Sequence, residues 1–382
     1  MSAPAGVRDV GPDAPAGWDE RTVRVSGGDV QQSAAWGELR GRTGWRPHHL
    51  ELDDGSAVLA LGRPWPLVGG GRLYVPKGPV AAGSEVTVVA DRLSAVAAWA
   101  RGAGYDTVLA DAEIPAATGY PAALAERGFR PVEEIGPSRH RVATPIPAGA
   151  DDATLLAQVA TTTRQRVRVA ERRRMRIVRY DALSAKAAGG GLDGPAPGHL
   201  DEEATAAFER FHRLLGATGE RRGFAIGPRG SAVAWWRAAL AAGHLVLLEA
   251  RSADGTYLGA AIFYRHGERL TYAHSADVVA LRRAHPDAAR LILWRALQLA
   301  AREGRAELDL GGVDVAGARS EPRPGDPMYG LLEFKQSFGG RWVELSGAHE
   351  RIVSQARARA GTLLVGVGRG ARRLAGSRRT DR

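Results

Sequence analysis

The order of apolar and polar residues in the first half of the chain predicts helices that alternate with short strands. Helices are predicted at residues 36–40 and at the alanine-rich residues 93–101, where the apolar positions lie on one face. Strands are predicted at residues 48–52, 57–62, 72–75 and 107–109. Such a mixture is typical of α/β proteins.

The second half repeats this alternation and opens with a strongly basic helix at residues 162–174. A Gly/Pro loop at 189–197 and a helix at 202–215 follow. The remaining pattern predicts a meander of strands 245–250, 257–264 and 269–274, a helix at 287–303 and a strand at 306–310. An alanine-rich helix ends at Gly104 and another at Gly304, each before an apolar strand, which is compatible with two copies of one α/β domain.

The length of 382 residues is sufficient for two domains, each with its own core. Residues 145–152, with two prolines and an Ala-Gly-Ala-Asp-Asp run, are typical of a connector. We therefore expect domain 1 at residues 21–148 and domain 2 at residues 149–344. Residues 1–20, rich in Ala, Pro, Gly and Asp, predict a disordered lead, and the arginine-rich residues 366–382 predict a flexible basic tail.

Composition narrows the classes of function. The chain has no cysteine, which excludes a thiolate nucleophile, disulfides and cysteine-ligated metals; the histidines show no ligand spacing, so neither metal nor cofactor is expected. No apolar run of about 20 residues and no signal-peptide pattern are present, which predicts a cytoplasmic protein. The net charge of +10 favours a polyanionic partner, such as nucleic acid or anionic lipid at the membrane face; solubility together with arginine-rich coding is the alternative explanation.

Two groups of basic residues are candidates for function: two lysines and one row of arginines. Only three of the 52 basic residues are lysines, and Lys77 and Lys335 both lie in distinctive runs. A compact ammonium is kept there either by chance or because a planar guanidinium cannot replace it. In the predicted basic helix, Arg164, Arg168 and Arg172 fall on one face at i, i+4 and i+8, while Val167 and Ala170 lie towards another face and could dock it. Such a row suits a phosphate track for tRNA, and a solvated face is the simpler alternative.

Seven short motifs follow one another in a recognisable order. They are Gln32-Ser33 with Trp36 and Arg40; Tyr74-Val75-Pro76-Lys77-Gly78-Pro79; Thr163-Arg164 with Arg168-Val169-Ala170-Glu171; Arg221 before Gly223-Phe224; Tyr272 with Ser275; Leu308-Asp309-Leu310-Gly311-Gly312; and Phe334-Lys335 with Phe338-Gly339-Gly340. Through these motifs, residues 30–355 resemble the Fem family (FemABX-like) of non-ribosomal aminoacyltransferases, which extend cell-wall peptide stems with amino acids taken from aminoacyl-tRNA.

The resemblance implies an α/β fold of two tandem GNAT (acyl-CoA N-acyltransferase-like) domains with a cleft between them. Some members of the family insert a long helical arm in the second domain. No arm-length heptad segment occurs here, so the compact, armless form is expected. In the family the last helix packs back on the first domain, which residues 345–365 would do here. The protein is expected to be a monomer.

The resemblance also implies roles for individual residues. Lys335 would stabilise the oxyanion, with the main chain of Phe334 as a second contributor. Asp111 would accept a proton from the attacking amine or orient it. The family carries Asp-Pro at this point, whereas this chain reads Asp111-Ala112-Glu113-Ile114-Pro115, so Glu113 competes for the role.

Further positions match the family's acceptor site. Arg40 and Arg221 would hold the diphosphate of a cell-wall precursor, and Arg222 adjoins the second of these. The remaining acceptor-binding candidates are Trp36, Tyr74, Lys77 and Tyr272. The arginines and tyrosines among these candidates have plain structural alternatives: the arginines as surface charge and the tyrosines as core residues with a satisfied hydroxyl.

The resemblance therefore predicts transfer of an amino acid from aminoacyl-tRNA to the stem peptide of a peptidoglycan precursor, lipid-linked or nucleotide-linked. An alternative keeps the donor and replaces the acceptor by the amine of a small molecule or antibiotic. An acyl-CoA-dependent N-acyltransferase is disfavoured because residues 281–286, before the helix at 287, contain no glycine for a pyrophosphate loop. A non-catalytic RNA-binding protein would leave the lysine motifs without a reason.

Overall fold

The computed structural model describes residues 6–67, 69–133, 139–183, 192–193, 200–313, 320–355 and 357–358. The chain divides into two compact units: unit 2 is Arg139–Glu344, and unit 1 is formed by the segments on either side of it. The predicted boundary at residues 148/149 is therefore about ten positions late, because the strand that starts at His140 belongs to unit 2.

The elements follow in chain order. Unit 1 begins with β1 (Val7–Asp9), α1 (Trp18–Thr22), α2 (Ala34–Gly41), β2 (Arg46–Leu52), β3 (Ala57–Pro64), β4 (Gly71–Val75), α3 (Val86–Gly102), β5 (Thr107–Ala110), α4 (Tyr120–Glu126) and β6 (Arg130–Pro131). Unit 2 contains β7 (His140–Pro145), α5 (Asp152–Gln158), α6 (Thr161–Arg172), β8 (Arg176–Asp181), β9 (Leu192–Asp193), α7 (Leu200–Arg222), α8 (Arg229–Ala241), β10 (Leu245–Arg251), β11 (Tyr257–His266), β12 (Arg269–Asp277), α9 (Ala288–Arg302), β13 (Glu307–Asp309), α10 (Tyr329–Gln336) and β14 (Arg341–Glu344). Strand β15 (His349–Ile352) completes unit 1.

Unit 1 is a seven-stranded sheet in the order β1-β2-β3-β4-β5-β15-β6, with helices on both faces. The sequence of β3 is almost continuously apolar because both of its faces are buried. Val58 and Ala60 enter the core beneath α3, while Leu59 and Leu61 enter the core on the opposite face. Strands β4 and β5 are parallel and are joined by α3, so residues just after both strands emerge at the same edge.

Unit 2 is an eight-stranded sheet in the order β14-β7-β13-β12-β11-β10-β8-β9. Its centre is the predicted meander of β10, β11 and β12, and α9 joins β12 to the parallel strand β13. Apolar residues of α9 pack into the main core of the unit. Helices α7 and α8 bury Phe208 and Phe211 against Trp236, with ring centroids 5.8 and 5.5 Å from that of the tryptophan.

Two predictions about the ends of the chain are wrong. The predicted disordered lead contains β1, which pairs with β2, and α1, whose Trp18 is buried and donates from Nε1 to the Gln32 carbonyl at 2.8 Å. The pairing lies more than 40 residues away in sequence, so local composition did not indicate it. Residues 349–352, predicted as helix, form strand β15 between β5 and β6. The predicted tail at 366–382 lies outside the described residues.

Candidate functional site

A pocket of about 370 Å³ in unit 2 brings two of the predicted site residues together. Its walls come from the end of α7, from β11 and β12, from the start of α9 and from α10. Tyr272 and Phe334, both predicted from sequence, lie in this lining. Arg222 also lines it, whereas the predicted Arg221 is exposed at the end of α7 and does not.

A bulge in β12 places two polar side chains on the same wall. The register of β11 against β12 shifts between Ile262 and Phe263, which face His274 and Tyr272. In a regular strand, residues three apart point to opposite faces, but the extra residue brings Tyr272 and Ser275 together. The Tyr272 hydroxyl donates to Ser275 Oγ, and burial raises the pKa of Tyr272. Since Ser275 Oγ accepts this hydrogen bond, its own hydroxyl hydrogen can be donated to a ligand.

The same strand ends in an ion pair at the pocket wall. The Arg282 guanidinium donates to both carboxylate oxygens of Asp277, with Nη2 2.6 Å from Oδ1. The hydrogen bond from Arg282 is the main cause that lowers the pKa of Asp277, and Arg221 and Arg222 add to it by their charge. Opposite Asp277 in the ladder is Gly259, where an added Cβ would lie 2.6 Å from the Ala276 carbonyl oxygen. Only glycine allows this close approach.

Lys335 lies on α10 beside the pocket-lining Phe334 but does not itself line the pocket. Its side chain is 4% exposed, and Nζ donates to the carbonyls of Gly311 and Gly312 at 3.1 and 2.6 Å. Carbonyl acceptors stabilise an ammonium, so Lys335 also holds the turn after β13 in place. On the other side, the Arg290 guanidinium lies 5.2 Å from the centre of the Phe334 ring, a cation–π contact.

The basic helix predicted from sequence is α6. As expected, Val167 and Ala170 are buried and dock the helix. Arg168 and Arg172 are exposed, and within the described part of the chain neither has an ion-pair or hydrogen-bond partner; Arg164 is partly buried and donates to Thr161 Oγ1 at 2.9 Å.

Helix α6 is connected to the pocket by charged contacts. Arg166, between the predicted arginines, lies 3.5 Å from Asp287 at the start of α9. Arg290 lies 3.9 Å from the same carboxylate and contacts Phe334, so a short series of contacts joins α6 to the pocket wall.

Unit 1 brings three predicted residues together in a buried cluster after β4 and β5. Asp111 accepts hydrogen bonds from the Tyr74 hydroxyl at 3.0 and 3.1 Å and from the Lys77 main-chain N–H at 2.7 Å. The Lys77 ammonium lies 3.4 Å from Asp111 and 3.5 Å from Glu113. Asp111 and Glu113, which the sequence left as competitors, thus share one partner.

In this cluster, burial and the neighbouring charges shift the pKa values of Lys77 and Asp111 in opposite directions. Burial alone would lower the pKa of Lys77, but the carboxylates of Asp111 and Glu113 raise it, so the ammonium stays charged at neutral pH. Burial raises the pKa of Asp111 above its ordinary value, although Lys77 opposes the shift. Burial, followed by the charge of Asp111, raises the pKa of Tyr74 well above its ordinary value. An Asp with a raised pKa is a better proton acceptor than an ordinary surface carboxylate.

Arg40 and Trp36 belong to an arginine–aromatic platform beside this cluster. The Arg40 guanidinium lies 5.5 Å from the ring centre of Trp36 and 5.2 Å from that of Trp45; Arg63 lies 5.3 Å from Trp45. The Trp45 ring is in turn 6.2 Å from that of Tyr74. Within the described residues, neither arginine has a carboxylate partner, and burial lowers the pKa of Arg40. Uncompensated guanidiniums next to flat aromatic surfaces suit a phosphorylated ligand.

Sequence reasoning did not assign a role to Trp45, Arg63, Asp277 or Arg282. Nothing in their local sequence distinguishes them, because their positions depend on strand register and on loops. In the part of the chain that the structure describes, no three His, Cys, Asp or Glu side chains form a possible metal site. The helices in that same part are all too short or too polar to cross a membrane.

The acetyltransferase (GNAT) domain family matches residues 196–322, which lie in unit 2. A comparison with curated proteins finds no match. Among solved structures, FemX superposes with a TM-score of 0.69 at 18% identity, covering 87% of this chain and 94% of that one. L-PGS from Bacillus licheniformis gives a TM-score of 0.52 at 11% identity, covering 95% and 98%. A conserved protein of unknown function from Bacteroides thetaiotaomicron gives 0.50 at 11%, covering 91% and 98%.

Identities this low show the fold alone. The FemX superposition spans most of both chains. The GNAT match lies in unit 2, which, like unit 1, contains a mixed sheet with helices. The predicted fold class is therefore confirmed: the chain has the two-domain α/β fold of tandem GNAT proteins.

Proposed function

We propose that this protein is an aminoacyltransferase that moves an amino acid from aminoacyl-tRNA to an amine acceptor. The observation that carries the proposal is the unit 2 pocket, which Phe334, Tyr272 and Ser275 line and to which α6, with exposed arginines, is linked through Arg290. A pocket of this size can hold a small acyl group, and a nearby row of guanidiniums can bind phosphates. Together they suit a donor in which a small acyl group is attached to a long polyanion.

The chemistry needs little besides positioning and charge. The acceptor amine attacks the ester carbon, a tetrahedral oxyanion forms, and the C–O bond to ribose breaks as the amide forms. The amine loses one proton and the leaving ribose oxygen gains one. The donor ester is already activated, so holding the reactants together and stabilising the oxyanion supply most of the acceleration.

Roles for the predicted catalytic residues follow from these needs. Lys335 and the main chain of Phe334 stabilise the oxyanion; the carbonyl contacts of Lys335 support the alternative role of fixing the turn at 311–312. Asp111, buried with a raised pKa, takes the amine proton or orients the amine.

For the acceptor, we propose the stem peptide of a peptidoglycan precursor. Arg40 with Trp36, Trp45 and Arg63 is a platform for its diphosphate, and the buried cluster of Tyr74, Lys77 and Asp111 lies beside it. The resemblance to Fem proteins of compact form supports this choice. We also propose that Arg221, which is exposed at the end of α7, contacts the diphosphate.

The test is transfer of labelled amino acids from a mixed pool of charged tRNAs to a cell-wall precursor, with and without ribonuclease. We expect ribonuclease-sensitive product, and Lys335→Ala should lower kcat about 100- to 1000-fold, the usual cost of one oxyanion donor. Thermal melting of the variant separates this from the turn-fixing role, since lost activity with an unchanged Tm indicates a direct part in catalysis.

The other outcomes select among the alternatives. Ribonuclease-sensitive transfer to a small amine but not to the wall precursor would replace the acceptor and keep the donor. Product made from acyl-CoA, with no effect of ribonuclease, would contradict the proposal.

A further inference from the structure

The unit 2 pocket holds a carboxylate for which the reaction described above has no use. Asp277 is the one acidic residue among the described residues that line the pocket. The small residues Gly259, Ala260, Ala261 and Ala276 line the pocket with it, and so do two arginines, Arg222 and Arg282.

Arg282 does not use up the hydrogen-bonding capacity of this carboxylate. A carboxylate offers about four acceptor positions, and Arg282 occupies one on each oxygen. The side chain of Asp277 is 30% exposed and that of Arg282 is 43% exposed. The guanidinium is thus the more exposed partner, and the carboxylate, which lines the pocket, keeps acceptor positions that Arg282 does not occupy.

A donor that carries an amino acid differs from an acetyl donor by one charged group, the α-ammonium next to the ester carbon. We propose that Asp277 binds this α-ammonium and so selects aminoacyl donors over acyl donors that lack it. The inference rests on the proposed function, because it assigns the pocket to the acyl end of that donor. It deepens that function by naming the donor class: acyl groups with a free α-amine.

The geometry fits this assignment. Ser275 and Asp277 are two residues apart on β12 after the bulge, so both face the pocket. A hydroxyl donor and a carboxylate acceptor at this spacing match the carbonyl oxygen and the α-ammonium of one aminoacyl group. Asp277 remains ionised at neutral pH because its pKa is lowered, chiefly by the hydrogen bond from Arg282.

The experiment measures binding, so it does not depend on the acceptor or on turnover. The probes are stable amide analogues of the donor end, a panel of 3′-aminoacylamino-3′-deoxyadenosines, each compared by calorimetry with its 2-hydroxyacyl counterpart. The hydroxyl has nearly the size of the ammonium and no charge. Wild type should bind the amino form about tenfold to hundredfold more tightly, the range for a hydrogen bond to a charged group.

Three variants separate recognition from structure. Asp277→Asn should bring the preference close to one. Arg282→Gln removes the other half of the ion pair but keeps the carboxylate, so the preference should persist. Asp201→Asn is the matched control, since Asp201 accepts from Arg237 at 2.9 and 3.1 Å in the same unit but does not line the pocket. It should behave as wild type.

The inference is overturned if wild type shows no preference, if no analogue binds, or if Asp277→Asn keeps the preference. Equal loss in Asp277→Asn and Arg282→Gln would also overturn it, because the pair would then act only by shaping the wall. The proposed function fails separately: an Asp277-dependent preference without ribonuclease-sensitive transfer would leave the inference standing and remove the aminoacyltransferase reaction.

Discussion

Lys77 shows at the scale of one residue how much depends on a buried charge. Its side chain is 8% exposed, and its ammonium faces the carboxylates of Asp111 and Glu113. Removing one partner of a buried ion pair leaves the other charge uncompensated, which costs about 3–5 kcal/mol. We therefore expect Lys77→Met to lower the free energy of unfolding by about that amount, as measured by urea denaturation.

A double-mutant cycle provides the control for Lys77. Asp111→Asn removes the charge that Lys77 faces most closely, so the double variant should be less destabilised than the sum of the two single variants. Additive losses would show that the two residues act independently.

The residues of this cluster could be selected from sequence, but their contacts could not. Tyr74 and Lys77 stand out through their shared motif, and Asp111 through a family position at which Glu113 competes with it. Their meeting depends on the parallel register of β4 and β5, where Tyr74 faces Leu109. Likewise, simple alternation along β12 predicts Tyr272 and Ser275 on opposite faces, and the bulge brings them together.

At the scale of the element, α6 makes a prediction about electrostatics. If its exposed face follows tRNA, Arg168→Glu should raise the KM for aminoacyl-tRNA and leave acceptor affinity almost unchanged. The dependence of binding on salt should also weaken by about one unit in the slope of log K against log salt. Arg213→Glu, an exposed arginine of α7 in the same unit, is the charge-matched control. An unchanged KM for Arg168→Glu would remove α6 from the tRNA site.

An element could be predicted where residues close together in sequence determine it, and not where it depends on a distant strand. Helix α6 and the meander of β10, β11 and β12 follow from periodicity within a few residues of sequence, and both were predicted. Strand β15 was predicted as helix because its partners, β5 and β6, lie more than 200 residues earlier. Edge strand β1 was missed for the same reason.

At the scale of the whole molecule, the fold was predicted through ordered motifs rather than through similarity along the entire chain. FemX shares 18% identity with this chain, yet the two superpose over most of their lengths. Phe334, which lines the pocket, and Gly311, where Lys335 donates its hydrogen bond, lie within these motifs. The rest of the chain only has to keep the apolar pattern of two sheets, which many sequences satisfy.

The tyrosines of both units predict how the protein responds to alkali. Burial raises the pKa of six of the eight tyrosines, namely Tyr74, Tyr105, Tyr120, Tyr180, Tyr257 and Tyr272. In the unfolded chain they ionise near pH 10, so above that pH the unfolded state loses protons that the native state keeps. Their contribution to stability is complete below pH 10 and is lost as the pH rises towards their native pKa values.

Tyr120 isolates this effect because its hydroxyl is buried and has no hydrogen-bond partner among the described residues. We expect Tyr120→Phe to change the free energy of unfolding by less than about 1 kcal/mol at pH 7, since no hydrogen bond is lost. Above pH 10, each buried tyrosine lowers stability by up to about 1.4 kcal/mol per pH unit. The variant should lose stability more slowly by that amount. Urea denaturation between pH 7 and 11 measures both slopes, and parallel slopes would show that Tyr120 ionises in the native state as it does in the unfolded chain.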